Sequence, residues 1–355
     1  MAPRRGTPNC WPTPAWRSSS RAGSPIFCAP TFFLLTGTGA ALSLQRKSRA
    51  ELSRYLVTRG LWLLVLEVVV VRCLAYQFNV DFRFTMLLVL WALGWSMIVL
   101  AGLLWLPVAA VTAVGAALIA GHHLFDGVRI AHPLWTILHV PGFVWTTPDH
   151  TVFSAYPLVP WLGVTAVGFG LGRIYDWPTG RQAWLLRTGV ALTLAFVVVR
   201  ALNGYGDPSP WRVFPTPLVS ALSFLNTSKY PPSLVFLLMT LGPALLALRG
   251  LDGGTPRALA PALVFGQMPL FYHVGHFALI HALAVVVCLI RYGSADWMFW
   301  SPDVASFPFT PPPNWGYSLP VVYLLWVGVV AGMYPVCRWF AALKQRRSDA
   351  WLSYL

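Results

Sequence analysis

FLNTSKYPPSLVFLLMTLGP, Phe224 to Pro243, changes character at its middle. A polar turn carrying a lysine and a tyrosine passes through two prolines into an apolar segment. In a soluble protein such a join precedes one buried element. Here similar apolar runs recur from Pro25 to the C-terminus, many near the roughly 20 residues a membrane-spanning helix needs. Composition points the same way. Of 355 residues, 57% are hydrophobic and 10% charged, against about 25% charged in a soluble domain. So few charges cannot cover a soluble surface, and the expected fold class is all-α, a polytopic transmembrane helical bundle.

Nine spans are expected, at about 25–44, 60–77, 84–101, 104–122, 152–173, 185–203, 231–249, 259–290 and 317–338. The eighth is too long for one straight helix and holds Gly266 and Pro269, so a kink or break is expected there. Residues 1–24, rich in Pro, Ser and Arg, read as disordered or as a misassigned start. Residues 25–342 form the transmembrane domain, and 343–355 a C-terminal tail.

Net charge is +14, which invites nucleic acid as a partner, but the basic residues sit in short connectors. That placement fits topology determinants and anionic lipid headgroups, so membrane lipids are expected as partners and nucleic acid is not. With the 45–59 connector in the cytoplasm, alternation puts 14 of the 25 Lys and Arg residues on that side, including Arg173, Arg181, Arg249 and Lys344. The C-terminus is then cytoplasmic, and the long connectors 123–151, 204–230 and 291–316 face outward. Residues 1–24, with Arg4, Arg5, Arg17 and Arg21, also fall outside, against the trend. A helix preceding this chain would resolve that conflict. Five scattered cysteines form no CxxC pair, so neither a disulfide framework nor a thiolate metal site is indicated. Walker A, GxSxG and TVGYG patterns are absent, which argues against ATP-driven pumping and potassium conduction.

Three places carry candidate chemistry. Glu67, inside LWLLVLEVVVVR, puts a carboxylate in hydrocarbon, where it needs a protein partner or a wet cavity. It reads as a buried anchor or as part of a substrate or proton path. GQMPLFYHVGHFALIHAL sets His273, His276 and His281 in one span, with His273 and His276 three residues apart on one face. Imidazoles there either bond between helices or line a polar cavity, where histidine can act as a base near neutral pH. No HExxH accompanies them, so a metal is not expected. Lys229 and Tyr230 precede a proline-initiated helix, and a helix N-terminus beside a lysine attracts an anion. The plainer reading has Lys229 snorkelling and Tyr230 in the aromatic belt. His122, His123, His132, His139 and His150, with Asp126 and Asp149, follow no motif.

CAPTFFLLTGTGAAL (28–42), LVTRGLWLLVLEVVVVR (56–72), YPLVPWLGVTAVGFGLGRIY (156–175), FLNTSKYPPSLVFLLMTLGP, FGQMPLFYHVGHFALIHAL (265–283) and the segment 315–347 together resemble the heparan-α-glucosaminide N-acetyltransferase catalytic-domain family, in its bacterial form. The resemblance runs from about Cys28 to Leu355. It implies acyl transfer within the membrane, with acetyl-CoA or another acyl-CoA as co-substrate and a saccharide or glycolipid as acceptor. The expected location is the bacterial plasma (inner) membrane. The family's key histidine belongs just before CAPTFFLLTGTG, where CWPTPAWRSSSRAGSPIF has none, and its usual first helix is also missing. Gln267 stands where relatives carry arginine in a GR.PLF pattern. Lys229, Tyr230, His276 and His281 fit the pattern. The expected site therefore has Glu67, His276 and His281 lining the catalytic cavity, with Lys229 and Tyr230 as cofactor contacts. A transporter or flippase of a lipid-linked or acidic solute, or a catalytically inactive shortened protein, are the other readings. The oligomeric state stays open, a homo-oligomer included.

Overall fold

The computed structural model describes residues 26–74, 78–300, 316–347 and 349. The segment 1–24 and most of the tail past Arg347 therefore lie outside the described residues. The elements, in order, are α1 (Cys28–Ser43), α2 (Arg49–Val69), β1 (Phe84–Leu87), α3 (Val89–Leu103), α4 (Val108–Gly121), α5 (Pro133–Leu138), β2 (Gly142–Thr146) and β3 (Thr151–Ser154). There follow α6 (Leu158–Gly172), α7 (Arg181–Leu202), α8 (Pro217–Leu225), α9 (Leu234–Leu251), α10 (Ala260–Gln267), α11 (Pro269–Tyr292) and α12 (Leu319–Arg346).

Every expected span holds helix, and the chain is a multi-pass α-helical membrane protein. Six helical segments are long and apolar enough to cross a bilayer: Val108–Phe125, Leu158–Asp176, α7, α9, α11 and α12. The helices α1 and α3 are apolar but shorter, and the first half of α2 carries Arg49, Glu51, Arg54 and Arg59. Six, not nine, is thus the number that length and composition support among the described residues. The long eighth segment breaks at Met268, between α10 and α11, as its Gly–Pro content requires.

Two expected helix starts are strands instead. Phe84–Leu87 runs parallel to Thr151–Ser154, which pairs antiparallel with Gly142–Thr146, giving the order β1-β3-β2. Short apolar runs rich in Thr, Val and Phe fit either state, and pairing between distant segments decides. At the other end, α12 continues to Arg346, past the expected end of the ninth span near 338. Lys344 and Arg346 lie in its last turn, where cations favour the carbonyl end of a helix.

Lipid tails are as apolar as leucine, so close packing must hold these helices together. Glycine pairs supply it. A Cβ on Gly60 of α2 would lie 2.6 Å from the Gly94 carbonyl oxygen of α3, and one on Gly115 of α4 would lie 2.7 Å from that of Gly163 in α6. Gly37 of α1 and Gly168 of α6 leave no room for a Cβ against each other's helix, and Gly189 of α7 faces Gly242 of α9. Helix α6 is thereby the hub, with α1, α3 and α4 around it. Trp161, Val164, Ala166 and Phe169 of α6 are buried. In contrast, 11% of the α11 and of the α12 span is buried, against 67% of the α6 span. Leu270 and Val274 join α11 to the apolar cluster of α2 and α3.

Candidate functional site

The polar half of the opening stretch is a clamp. Arg200, in the last turn of α7, is 2% exposed and donates to four carbonyls: Phe224 at 2.9 Å, Ser209 at 3.0 Å, Ser223 at 3.1 Å and Asn226 at 2.7 Å. Its charge is balanced by Asp207, 3.5 Å away. Asp207 in turn accepts from the backbone N–H groups of Ser209 and Ser228 and from the hydroxyls of Ser228 and Ser233. Sequence places these partners up to 26 residues apart; the fold draws the whole 203–233 connector around one buried ion pair.

The same connector closes the start of α9. Of its first N–H groups, Leu234 donates to His123 Nε2 at 2.9 Å, Val235 to the Gly206 carbonyl at 3.1 Å and Phe236 to the Ser233 hydroxyl at 2.9 Å. A helix N-terminus attracts an anion through such groups, and here all three are occupied. The helix-terminus part of the expected anion site is thus removed. Lys229 itself is half-buried, its ammonium 5.2 Å from the Tyr230 ring. The Tyr230 hydroxyl meets that of Tyr156 at 3.3 Å, and Tyr156 continues through Trp161 to Phe33 as a column of rings.

In α11 the histidines are held from one side. His276 Nδ1 bonds the Tyr272 carbonyl at 2.9 Å, and His281 Nδ1 bonds the Phe277 carbonyl at 3.0 Å. A carbonyl only accepts, so Nδ1 carries the proton in both and the lone pair sits on Nε2. His276 also stacks on Tyr272 at 5.1 Å. His273 Nε2 is buried without a partner among the described residues. His281 lies edge-on to Phe78, just past the end of α2.

Glu67 is fully buried and serves α3. Its Oε2 accepts the N–H groups of Leu90 at 2.9 Å and Trp91 at 3.2 Å, the first donors of that helix. This is a helix cap supplied by a neighbouring helix, favourable for a negative charge at the positive end of the α3 dipole. Oε1 remains buried without a partner among the described residues. The structure joins Glu67 to α3 by these bonds; its bonds do not reach His276 or His281.

One cluster went unweighted in the sequence because no motif links its members. Just past the C-terminal end of α4, His123 donates from Nδ1 to Asp126 Oδ2 at 2.7 Å, and His139 Nε2 lies 3.5 Å from Asp126 Oδ1. The His122 ring lies against that of His123, tilted by 41°, with centroids 3.9 Å apart. With Nδ1 bonded to Asp126 and Nε2 accepting from Leu234, both nitrogens of His123 are engaged. Burial pushes His139 below the ordinary histidine range, against the pull of Asp126. The Asp126 charge and burial together hold Tyr205, whose hydroxyl donates to the Ala120 carbonyl, above the usual tyrosine range. The only legible signal for this cluster was the i,i+3 spacing of His123 and Asp126. Among the described residues no group of three or more His, Cys, Asp or Glu side chains is placed to hold a metal ion.

The family model described as heparan-alpha-glucosaminide N-acetyltransferase, catalytic, matches residues 10–205. The match takes in α1 to α7 and the three strands, with Glu67, the His123–Asp126 cluster and Arg200. Lys229, Tyr230, His276 and His281 lie beyond it. No curated protein matches the chain.

Proposed function

The chain belongs to the heparan-alpha-glucosaminide N-acetyltransferase catalytic-domain family, and from that premise we propose that it moves an acetyl or other acyl group from acyl-CoA to an amine or hydroxyl of a sugar or glycolipid. The family match carries this reading. The polar residues of α11 supply its chemistry: His276 Nδ1 is tied to the Tyr272 carbonyl, which leaves the lone pair on Nε2, and His281 lies further along the same helix.

In the proposed reaction the acceptor nitrogen or oxygen attacks the thioester carbonyl. His276 or His281 takes the acceptor proton at Nε2, the carbon–sulfur bond breaks, and CoA leaves as a thiolate that is then protonated. Proton removal of this kind is worth about 10²–10⁴-fold in rate. Acyl-CoA reaches the protein from the cytoplasmic face of a bacterial inner membrane, and its phosphates meet the basic connectors there. Not all of those cations are available: Arg173 pairs with Asp176 at 2.9 Å and Arg181 with Asp252 at 3.0 Å. Arg46, Arg54, Arg187, Arg249 and Arg257 are among the remaining contacts to test. Because the α9 donors are occupied, Lys229 and Tyr230 enter the proposal as cofactor contacts only through their side chains.

The test is release of free CoA from acetyl-CoA by the purified protein in nanodiscs, with glucosamine as acceptor. Acceptor-dependent release is expected, falling by about 10²-fold or more in His276→Ala or His281→Ala. Release that is unchanged in both variants defeats the histidine assignment. A protein that releases no CoA with either an amino sugar or a glycolipid is not an acyltransferase of this kind.

A further inference from the structure

At the outer end of α2 a second charged group is buried without full pairing. Arg72 is 6% exposed and follows α2 in a 3₁₀ turn, Val71–Cys73. One edge of its guanidinium is occupied: Nη1 donates to the Phe82 carbonyl at 3.2 Å and reaches the Thr85 hydroxyl at 3.4 Å. The other edge, Nε and Nη2, is buried and has no hydrogen-bond partner among the described residues. Burial disfavours the charged guanidinium, and the neighbouring Cys73 thiol and Asp81 carboxylate offset part of that cost.

The surroundings hold the arginine in place. The Phe82 ring covers the guanidinium at 3.4 Å, and Phe82 itself adopts φ 60°, a region a bulky residue rarely enters. Its carbonyl also accepts His150 Nδ1–H at 2.8 Å, which leaves His150 Nε2 as the acceptor facing the Thr85 hydroxyl at 3.4 Å. Thr85 therefore accepts from Arg72 and donates to His150. Its own backbone is fixed by β1, in register with Val152 of β3. The small sheet thus builds a rigid seat that takes Nη1 and leaves Nε and Nη2 unused. Those two N–H groups are the parallel pair that receives a carboxylate or phosphate in bidentate fashion. Phe82, 49% exposed, is the cover on the outer side.

We infer that the Nε/Nη2 edge of Arg72 binds a planar pair of anionic oxygens, a carboxylate or phosphate, presented from the outer face beneath Phe82. On the acyl-transfer reading above, this group belongs to the acceptor, which makes the acceptor an acidic saccharide or a phosphate-bearing lipid. Binding itself can be measured without acyl-CoA, so the inference and that reading fail separately.

The experiment is the thermal unfolding midpoint of the purified protein without acyl-CoA. One arm adds glucuronate, with glucose as the neutral control; the other compares nanodiscs containing phosphatidylglycerol with phosphatidylcholine ones. A shift with glucuronate but not glucose assigns the site to an acidic sugar, and a shift only with phosphatidylglycerol assigns it to a lipid phosphate. In either case Arg72→Gln is expected to abolish the shift. Arg72→Lys keeps the charge but lacks the fork, and should weaken binding at least tenfold. Thr85→Val leaves Arg72 in the chain and loosens its seat, giving a smaller loss if Arg72→Gln fails to fold. No shift in either arm, or a shift undiminished in Arg72→Lys and Thr85→Val, overturns the inference.

Discussion

His123, just past the end of α4, and the histidines of α11 are held in opposite ways. His123 has both ring nitrogens engaged, donating to Asp126 and accepting from the N–H of Leu234 at the start of α9. His276 and His281 each bond one carbonyl of their own helix through Nδ1. The first arrangement ties two helices together and leaves the His123 ring no nitrogen for a substrate proton. The second fixes the tautomer and, in His276, leaves the lone pair on Nε2. Surroundings differ as well, since His123 is buried and bonds the start of α9, while the α11 and α12 spans are the least buried of the six.

Separating activity from stability is the way to break this comparison. The largest effect expected is on turnover: His276→Ala should lower CoA release by about 10²–10⁴-fold while leaving the unfolding midpoint near that of the parent protein. Equal losses of activity and stability would mean that His276 is a packing residue. Next comes the clamp that positions α9, the helix His123 bonds. Arg200→Met removes one member of a buried pair and leaves Asp207 uncompensated, which should cost about 3–5 kcal/mol in denaturant unfolding of the detergent-solubilised protein. A midpoint unmoved by this change would show that the 203–233 connector is not held by Arg200.

His123→Ala should cost about 1–3 kcal/mol, the usual penalty for stranding a buried donor, here the Leu234 N–H. Its effect on the intrinsic chemical step should be no greater than its effect on folding, which single-turnover measurement with acetyl-CoA would check. The smallest effect is a pH dependence. Burial lowers the pKa of His139 in the folded protein, so below the unfolded value of about 6.5 the unfolded chain takes up the proton first. Stability from this group is complete above about pH 6.5 and declines as pH falls from there toward the depressed folded value. His139→Gln should flatten the unfolding midpoint over that window, and an unchanged slope would remove His139 from the account.

Much of the scaffold was legible because spanning a bilayer demands long apolar runs, and each of those runs holds helix. The break at Met268 was legible too, since Pro269 cannot donate a backbone hydrogen bond to the preceding turn. The strands were not. Phe84–Leu87 and Thr151–Ser154 are four residues each, apolar on a helical or an extended backbone alike, and only their pairing across 67 positions separates the two. Glu67 was recognised as costly in hydrocarbon, but its role as the cap of α3 depends on how α2 and α3 cross at Gly60 and Gly94.

By itself the sequence determined the membrane class, the helix-rich architecture and the family resemblance, because these rest on composition and on the order of residues along the chain. Tertiary structure decided which polar groups remain available. Lys229 beside a proline-initiated helix looks like an anion site until His123, Gly206 and Ser233 are seen to occupy the α9 donors. Nothing in the sequence sets Arg72 apart, yet one edge of its guanidinium is bonded and the other is buried without a partner among the described residues. A sequence states how many donors and acceptors exist. Hydrogen bonds have limited valence and short reach, so which of those groups are already satisfied is fixed only when distant segments meet.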